Sequence, residues 1–284
     1  MRNNSKKAFT ILELVIVILV IGAIVGAVVE SKVLLEQSKV KAAKKMSYNS
    51  PALSITGDDD QRSLVAWFDA LDTDTIVMSS NVVSEWRSKV GEINASQVTA
   101  GNRPTYVAEG ITHFPAIEFD GVDDYLQLNR AVIGGADDSY TIAAVFNSDI
   151  ENDWQVIYEQ ADSDNATGTR LSLLLSNSAG FCYAFQGSNV QAGSYAANRP
   201  NSLVAVNDNG AIKFYLNNAT YSSASIDAST LNAATDVAFI GRQEPDLTQQ
   251  FDGKISEILI FDKALDANEI EEVRSYLTTK YNIK

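Results

Sequence analysis

Three groups of residues carry types and spacings that can do chemistry. The first is Glu13, which stands just ahead of an uncharged run at residues 14–29. A carboxylate in an apolar membrane helix is costly unless it is paired or protonated. Position 9 lies one helical turn before it. A chain cut ahead of Phe9 would therefore carry an α-amino group able to neutralise that acid, in the same chain or a neighbouring one. The second group is Glu118, Asp120, Asp123 and Asp124. Two carboxyl groups about 5–5.5 Å apart can serve as acid and nucleophile on a glycosidic bond. Clustered carboxylate oxygens can instead hold Ca²⁺. Gly121, in their midst, predicts a strand-to-strand turn that these aspartates would shape. The third group is Asp162, Asp164 and Asn165, whose spacing does not match an EF-hand loop.

Other reactive residue types read as structural. His113, between Thr112 and Phe114, has no Ser or Cys motif beside it, and Cys182 falls in a β pattern as a core thiol. A single Cys excludes an intramolecular disulfide, and a single His excludes a poly-His zinc site. Trp67, Trp86 and Trp154 can stack on sugar rings where exposed, although Trp is more often largely buried. No phosphate-binding glycine loop or hydrolase elbow is present. No catalytic residue and no enzymatic activity are expected.

The elements that hold these residues fall into two parts. Residues 1–45 carry a net charge of +5 and residues 46–284 a net charge of −19. An acidic body of that size repels a phosphate backbone, so nucleic acid is not an expected partner. Residues 1–8 form a leader with Arg2, Lys6 and Lys7, which favours a cytoplasmic N-terminus. Residues 9–29 then span roughly 30 Å as a helix, enough to cross a hydrocarbon core. Gly22 and Gly26 make a small-xxx-small pair of the kind that lets helices approach in lipid. With no Gly or Pro at 31–49, the helix is expected over 9–47, until Pro51 stops it. Residues 48–62, with Asp58, Asp59 and Asp60, read as a solvated linker.

From residue 63 the texture changes. Short β-prone runs recur, among them 64–68, 116–119, 140–146, 155–158, 170–175, 202–206, 212–216 and 254–261, separated by Asn/Asp/Gly/Ser clusters. The sequence Asn207-Asp-Asn-Gly210 suits a hairpin. About a dozen strands without long intervening helices predict an antiparallel sandwich. In 212–216, Ile212, Phe214 and Leu216 share one face, whereas 254–261 becomes continuously apolar and suits burial on both faces. The chain ends in a helix starting with Asp266 and Glu269 as a capping box and carrying Ile270, Val273, Tyr276 and Leu277 on one side.

Ala8-Phe9-Thr10-Ile11-Leu12-Glu13-Leu14, behind a Lys-rich leader and ahead of a long apolar helix, resembles a type IV prepilin or pseudopilin N-terminus. The resemblance implies cleavage by a prepilin peptidase between Ala8 and Phe9, N-methylation of Phe9, and Glu13 as the residue that aids assembly with other pilin subunits. Where the family nearly always has Gly before the cut, this chain has Ala8.

Two further stretches, Pro115-Ala-Ile-Glu-Phe-Asp-Gly-Val-Asp-Asp-Tyr-Leu126 and Phe251-Asp-Gly-Lys-Ile-Ser-Glu-Ile-Leu-Ile-Phe-Asp-Lys-Ala-Leu265, resemble the concanavalin A-like, laminin-G-type sandwich family. That resemblance covers 63–284. It implies a fold shared by lectins, adhesion modules and glycanases, some members of which bind Ca²⁺. Glu118-x-Asp120-x-x-Asp123 resembles the catalytic strand of certain glycanases on this fold, but ends in Asp rather than Glu and is interrupted by Gly121.

The expected molecule is thus α+β by content. A long N-terminal membrane-spanning helix precedes a concanavalin A-like jelly roll with a short C-terminal helix. Its expected role is that of a minor pilin or pseudopilin in the bacterial inner membrane, later assembled into a pilus or pseudopilus. There it would display the sandwich to extracellular glycans or surface proteins, with Ca²⁺ at Asp120, Asp123 and Asp124. The alternative is a membrane-anchored or secreted carbohydrate-binding protein that never polymerises.

Overall fold

The computed structural model describes residues 11–57, 60–134, 139–151, 153–161, 170–175, 181–185, 188–192, 195–217, 219–225, 237–243 and 249–284. Helix α1, Ile11–Tyr48, runs for 38 residues without a break, about 57 Å at the α-helical rise. Its run of Leu, Ile, Val and Ala contains no proline, and Pro51 opens a 3₁₀ turn, Pro51–Leu53, just beyond its end. By length and composition it can cross a membrane. Its apolar side chains from Ile11 to Leu35 are exposed, and a methyl group built on Gly22 or Gly26 would meet nothing. The chain divides into two compact units between Lys45 and Met46, so the last helical residues belong to the second unit.

Among the described residues of the second unit are seventeen strands. They are β1 Leu64–Asp69, β2 Ile76–Ser79, β3 Val82–Arg87, β4 Asn94–Ser96, β5 Thr105–Ile111, β6 Phe114–Asp120, β7 Leu126–Leu128, β8 Tyr140–Ser148 and β9 Gln155–Ala161. There follow β10 Arg170–Leu175, β11 Phe181–Phe185, β12 Ser188–Ala192, β13 Asn201–Asp208, β14 Ala211–Leu216, β15 Ala219–Ser225, β16 Val237–Ile240 and β17 Asp252–Phe261. Every pairing is antiparallel. One layer runs β15-β14-β13-β8-β17, with β1 and β6 sharing the far edge of β17. The other runs β12-β11-β10-β9-β16-β7-β4-β3-β2. Strand β5 joins the layers by pairing with both β6 and β3. The result is a curled, jelly-roll-like sandwich, more finely divided than the expected dozen strands.

Strand periodicity decides which side chains fill the sandwich. Phe68, Ile142, Phe146, Ile258 and Ile260 from one layer meet Trp86, Leu126, Ile157, Leu171 and Ile240 from the other. In β14, Ile212, Phe214 and Leu216 are buried and Lys213 is exposed, as the alternation predicts. The β13–β14 hairpin closes on Asn209 and Gly210, both at positive φ, and the Asn207 side chain accepts the Gly210 amide at 2.8 Å.

Strand β17 is buried on both faces because helix α2, Ala267–Lys280, covers the side away from the core. The predicted capping box is present. Asp266 accepts the Asn268 and Glu269 amides, and Glu269 accepts the Asp266 amide. Ile270, Val273 and Leu277 are buried, each contributing about 1.5–3 kcal/mol.

Residues 48–62 differ from the expected solvated linker. Ser50, Ala52 and Ile55 are buried and Thr56 bridges Arg62, so the segment is anchored at these points while Tyr48, Asn49, Ser54, Gln61 and Arg62 are exposed. Asp60 is exposed, and Asp58 and Asp59 lie outside the described residues.

Candidate functional site

The end of β6, the start of β17 and the end of β8 meet at one rim of the sandwich. Asp120 is in register with Asp252, and Gly253 with Ser148. After Asp120 the chain must reverse sharply, and Gly121 does so at φ 71°, where a Cβ would lie 2.7 Å from the Asp252 Cβ. Asp120 Oδ1 then accepts the amides of Val122, Asp123 and Asp124 at 2.9, 3.2 and 3.4 Å. The expected turn-shaping role of these aspartates is therefore realised.

The same turn draws carboxylates together. Asp120, Asp123 and Asp124 each offer an oxygen within 4.8 Å of the others, a set suited to a hard, oxygen-seeking cation. Asp124 is nearly buried, and that burial, with the charge of Asp120 next, pushes its carboxyl up to about 6. Asp252 is raised by burial and then by Asp149 and Asp120. Lys254 counters part of this charge, bridging Glu118 at 2.8 Å and Asp149 at 3.4 Å. Those partners outweigh its own burial and hold its ammonium above the ordinary value. Asp149, Asp252 and Lys254 were missed from the sequence. Strand register, which joins β17 to β6 and to β8 across more than a hundred positions, brings Asp252, Lys254 and Asp149 together beside Asp120.

The other expected residues distribute as follows. Glu13 lies in the first turn of α1, where a negative charge is favoured by the helix dipole. Ala8 and Phe9 lie outside the described residues, as do Asp162, Asp164 and Asn165. His113 occupies the Thr112-His113 turn between β5 and β6, both residues at positive φ, in keeping with a structural role. Cys182 is on β11, and the expectation of a core thiol falls on a side chain outside the described ones. Trp67 and Trp86 are buried and inaccessible to a sugar. Trp154 is half-buried against Val156 and Leu174.

A second polar cluster, unforeseen from the sequence, lies beneath α2. Lys280 Nζ is 3.0 Å from Asp69 Oδ2 and 2.7 Å from Glu257 Oε2. Glu257 Oε1 accepts Trp67 Nε1–H and the Tyr276 hydroxyl, both at 2.7 Å. Asp69 also accepts the Ser47 hydroxyl at 2.8 Å. Burial would raise the Asp69 carboxyl, but Lys280, Lys89 and Ser47 together hold it below its usual value, whereas burial leaves Glu257 raised. A visible signal was Glu257 itself, a charge inside a strand otherwise read as buried on both faces.

A curled, wholly antiparallel sandwich of two such layers belongs to the jelly-roll class of β folds. Residues 120–271 match the family model described as the concanavalin A-like lectin/glucanases superfamily, and the chain belongs to that superfamily. Among solved structures, the sialidase of Trypanosoma rangeli with a bound difluoro-nononic acid aligns at TM-score 0.56 and 13% identity, covering 88% of this chain and 40% of that one. The same sialidase with the inhibitor DANA aligns at TM-score 0.57 and 14% identity, over 89% and 40%. The CBM40 of a Ruminococcus gnavus IT-sialidase bound to α2,3-sialyllactose aligns at TM-score 0.45 and 14% identity, over 56% and 95%. At these identities the likeness is one of fold, and the chain spans about 40% of the length of the Trypanosoma sialidase chains. None of the curated proteins matches the chain.

Proposed function

We propose that the chain is a type IV pilin-like subunit, a minor pilin or pseudopilin, cleaved between Ala8 and Phe9 in the bacterial inner membrane and assembled into a filament through its N-terminal helix. The sandwich is the displayed part, a non-catalytic module that binds glycans or other surface ligands, with Ca²⁺ at Asp120, Asp123 and Asp124. The observation that carries this reading is α1: 38 unbroken helical residues, apolar side chains facing outward from Ile11 to Leu35, and one acid in the first turn. A filament gives those side chains neighbouring helices to pack against. The amine of Phe9 gives Glu13 a countercharge.

The non-catalytic part rests on how the carboxylates are employed. Glu118 is bound by Lys254, and Asp120 accepts three backbone amides. These contacts employ both carboxylates in holding the rim together. Membership of a lectin-bearing superfamily supports the glycan-binding part.

Mass spectrometry of the mature N-terminus tests processing, with N-methyl-Phe9 expected. The Glu13→Ala variant tests assembly, with membrane insertion retained and filament incorporation lost. An N-terminus still at Met1 overturns the reading. A second reading, a membrane-anchored or secreted carbohydrate-binding protein that does not polymerise, is favoured by the self-contained second unit, which holds the entire family match. Normal localisation and glycan binding without filament incorporation of the wild type would decide for it.

A further inference from the structure

Lys280 sits where an amine and a carboxyl group can condense. Its side chain is fully buried, as is that of Glu257, and the side chain of Asp69 is 1% exposed. The rings of Tyr281 and Tyr276 lie 5.0 and 5.5 Å from Nζ, and Trp67 packs edge-on against Tyr276. Desolvation of this kind penalises a separated ammonium and carboxylate. Passing a proton from the ammonium to Glu257, the acid that burial raises, gives a neutral amine beside the Asp69 carboxyl group. Nζ lies 3.0 Å from Asp69 Oδ2, in direct contact with the carboxyl group whose carbon it would attack.

The surroundings of Asp69 divide its two oxygens by role. Oδ1 accepts the Leu71 amide at 3.1 Å, a fixed donor for the negative charge that gathers there when the carboxyl carbon is attacked. Oδ2 faces both Lys280 and the Ser47 hydroxyl, which donates to it at 2.8 Å. Lys89 also approaches Oδ2, at 3.4 Å, but its side chain is 18% exposed and keeps its ammonium in reach of water. Glu257 touches the amine at 2.7 Å and is held by Trp67 and Tyr276, so it can exchange protons without moving.

We propose that Lys280 and Asp69 form an intramolecular amide bond, with Glu257 as the acid–base group of the reaction. The Nζ–Cγ bond forms and the Cγ–Oδ2 bond breaks. Of the three protons on the ammonium, one stays on the amide nitrogen and two leave with Oδ2 as water. Glu257 takes a proton from Nζ and returns one to the departing oxygen, ending as it began. No oxidant, metal or cofactor is consumed. The bond ties β1 to the last residue of α2 across 211 positions of sequence. It fastens nearly the whole second unit in a chain whose single cysteine cannot form an internal disulfide.

Intact mass spectrometry of the full chain in detergent, beside its Glu257→Gln variant, tests this. Both share whatever N-terminus the cell produces, so their mass difference, corrected for the substitution, isolates the link. The expected wild type is lighter by one water molecule. Its tryptic digest contains a branched peptide joining the segments that hold Asp69 and Lys280, with no cleavage after Lys280, and Lys280→Arg loses that peptide. Wild type of full mass with ordinary cleavage after Lys280 overturns the proposal, as does a link from Lys280 to Glu257. The deciding digest is of wild-type protein, so it stands even where a variant fails to fold.

Discussion

Asp120 and Asp124 brace their turn reciprocally. Asp124 Oδ2 accepts the Asp120 amide at 3.2 Å, and Asp120 Oδ1 accepts the Asp124 amide at 3.4 Å. The backbone is satisfied, but two carboxylates are brought together with Asp123 beside them. Turn closure and charge accumulation are therefore one event. A divalent cation or a proton can each relieve the repulsion.

That competition sets a pH dependence. The Asp124 carboxyl titrates near pH 6 in the folded chain, against an ordinary value of 3.8. A raised folded value means that its stabilising contribution is complete below about pH 4 and is lost as pH rises through 6. In chelator, the melting temperature should fall over that window, and Asp124→Asn should remove this part of the fall. Millimolar Ca²⁺ should raise the melting temperature more at pH 7.5 than at pH 5, and should do nothing for the variant. Scanning calorimetry reads both. A Ca²⁺ response equal in wild type and variant would remove these aspartates as ligands.

In the unlinked form, Lys280 is the cation for two buried acids. Lys280→Met keeps most of the side-chain volume but leaves Asp69 and Glu257 facing one another without it. Breaking a buried charge cluster from one side costs about 3–5 kcal/mol. Urea unfolding should show a loss of at least that size, because the variant also lacks the proposed Asp69–Lys280 link. Lys213→Met, on an exposed position of β14, should change stability by less than about 0.5 kcal/mol.

How far the sequence reveals this molecule depends on whether a feature is local. The apolar run of α1, the Asn207–Gly210 turn, the alternation in β14 and the Asp266/Glu269 capping box each declare themselves within a few residues, and the structure places them as expected. Short strands such as β4, Asn94-Ala-Ser96, have too few residues to show a period and escape notice. At the rim, the aspartates of one turn were legible. Asp149, Asp252 and Lys254 were not, because they join through pairing of distant strands. The Asp69–Glu257–Lys280 cluster was hidden for the same reason, although a lone Glu in a doubly buried strand signals that a partner must exist.

Gly253 offers a backbone test of the rim. It sits at φ 141° in β17, and a Cβ there would lie 2.2 Å from the Asn147 carbonyl oxygen of β8. Neither strand can withdraw without opening the β8–β17 pairing, which sets Gly253 opposite Ser148 at the rim beside Asp252. Gly253→Ala should destabilise the domain by about 3 kcal/mol and should weaken the Ca²⁺ response along with it. Thermal melts by circular dichroism, with and without Ca²⁺, measure both effects. A variant as stable as wild type would mean that β8 and β17 separate readily at this end.

The boundary of the second unit can be tested to the residue. Ser47 is buried, donates to Asp69 Oδ2 and lies 3.3 Å from the Tyr276 hydroxyl oxygen, so the last helical turn contributes to the cluster beneath α2. A chain of residues 46–284 retains that contact and sheds the exposed apolar residues of α1. It should partition into the aqueous phase of a detergent phase separation, while the full-length chain enters the detergent phase. In the unlinked form, starting at residue 50, or substituting Ser47→Ala, removes a hydrogen bond to a buried carboxylate and should cost about 1.5–3 kcal/mol in urea unfolding. Equal stability of the two truncations would place the start of the folded unit after Ser47 and separate the helix end from the Asp69 cluster.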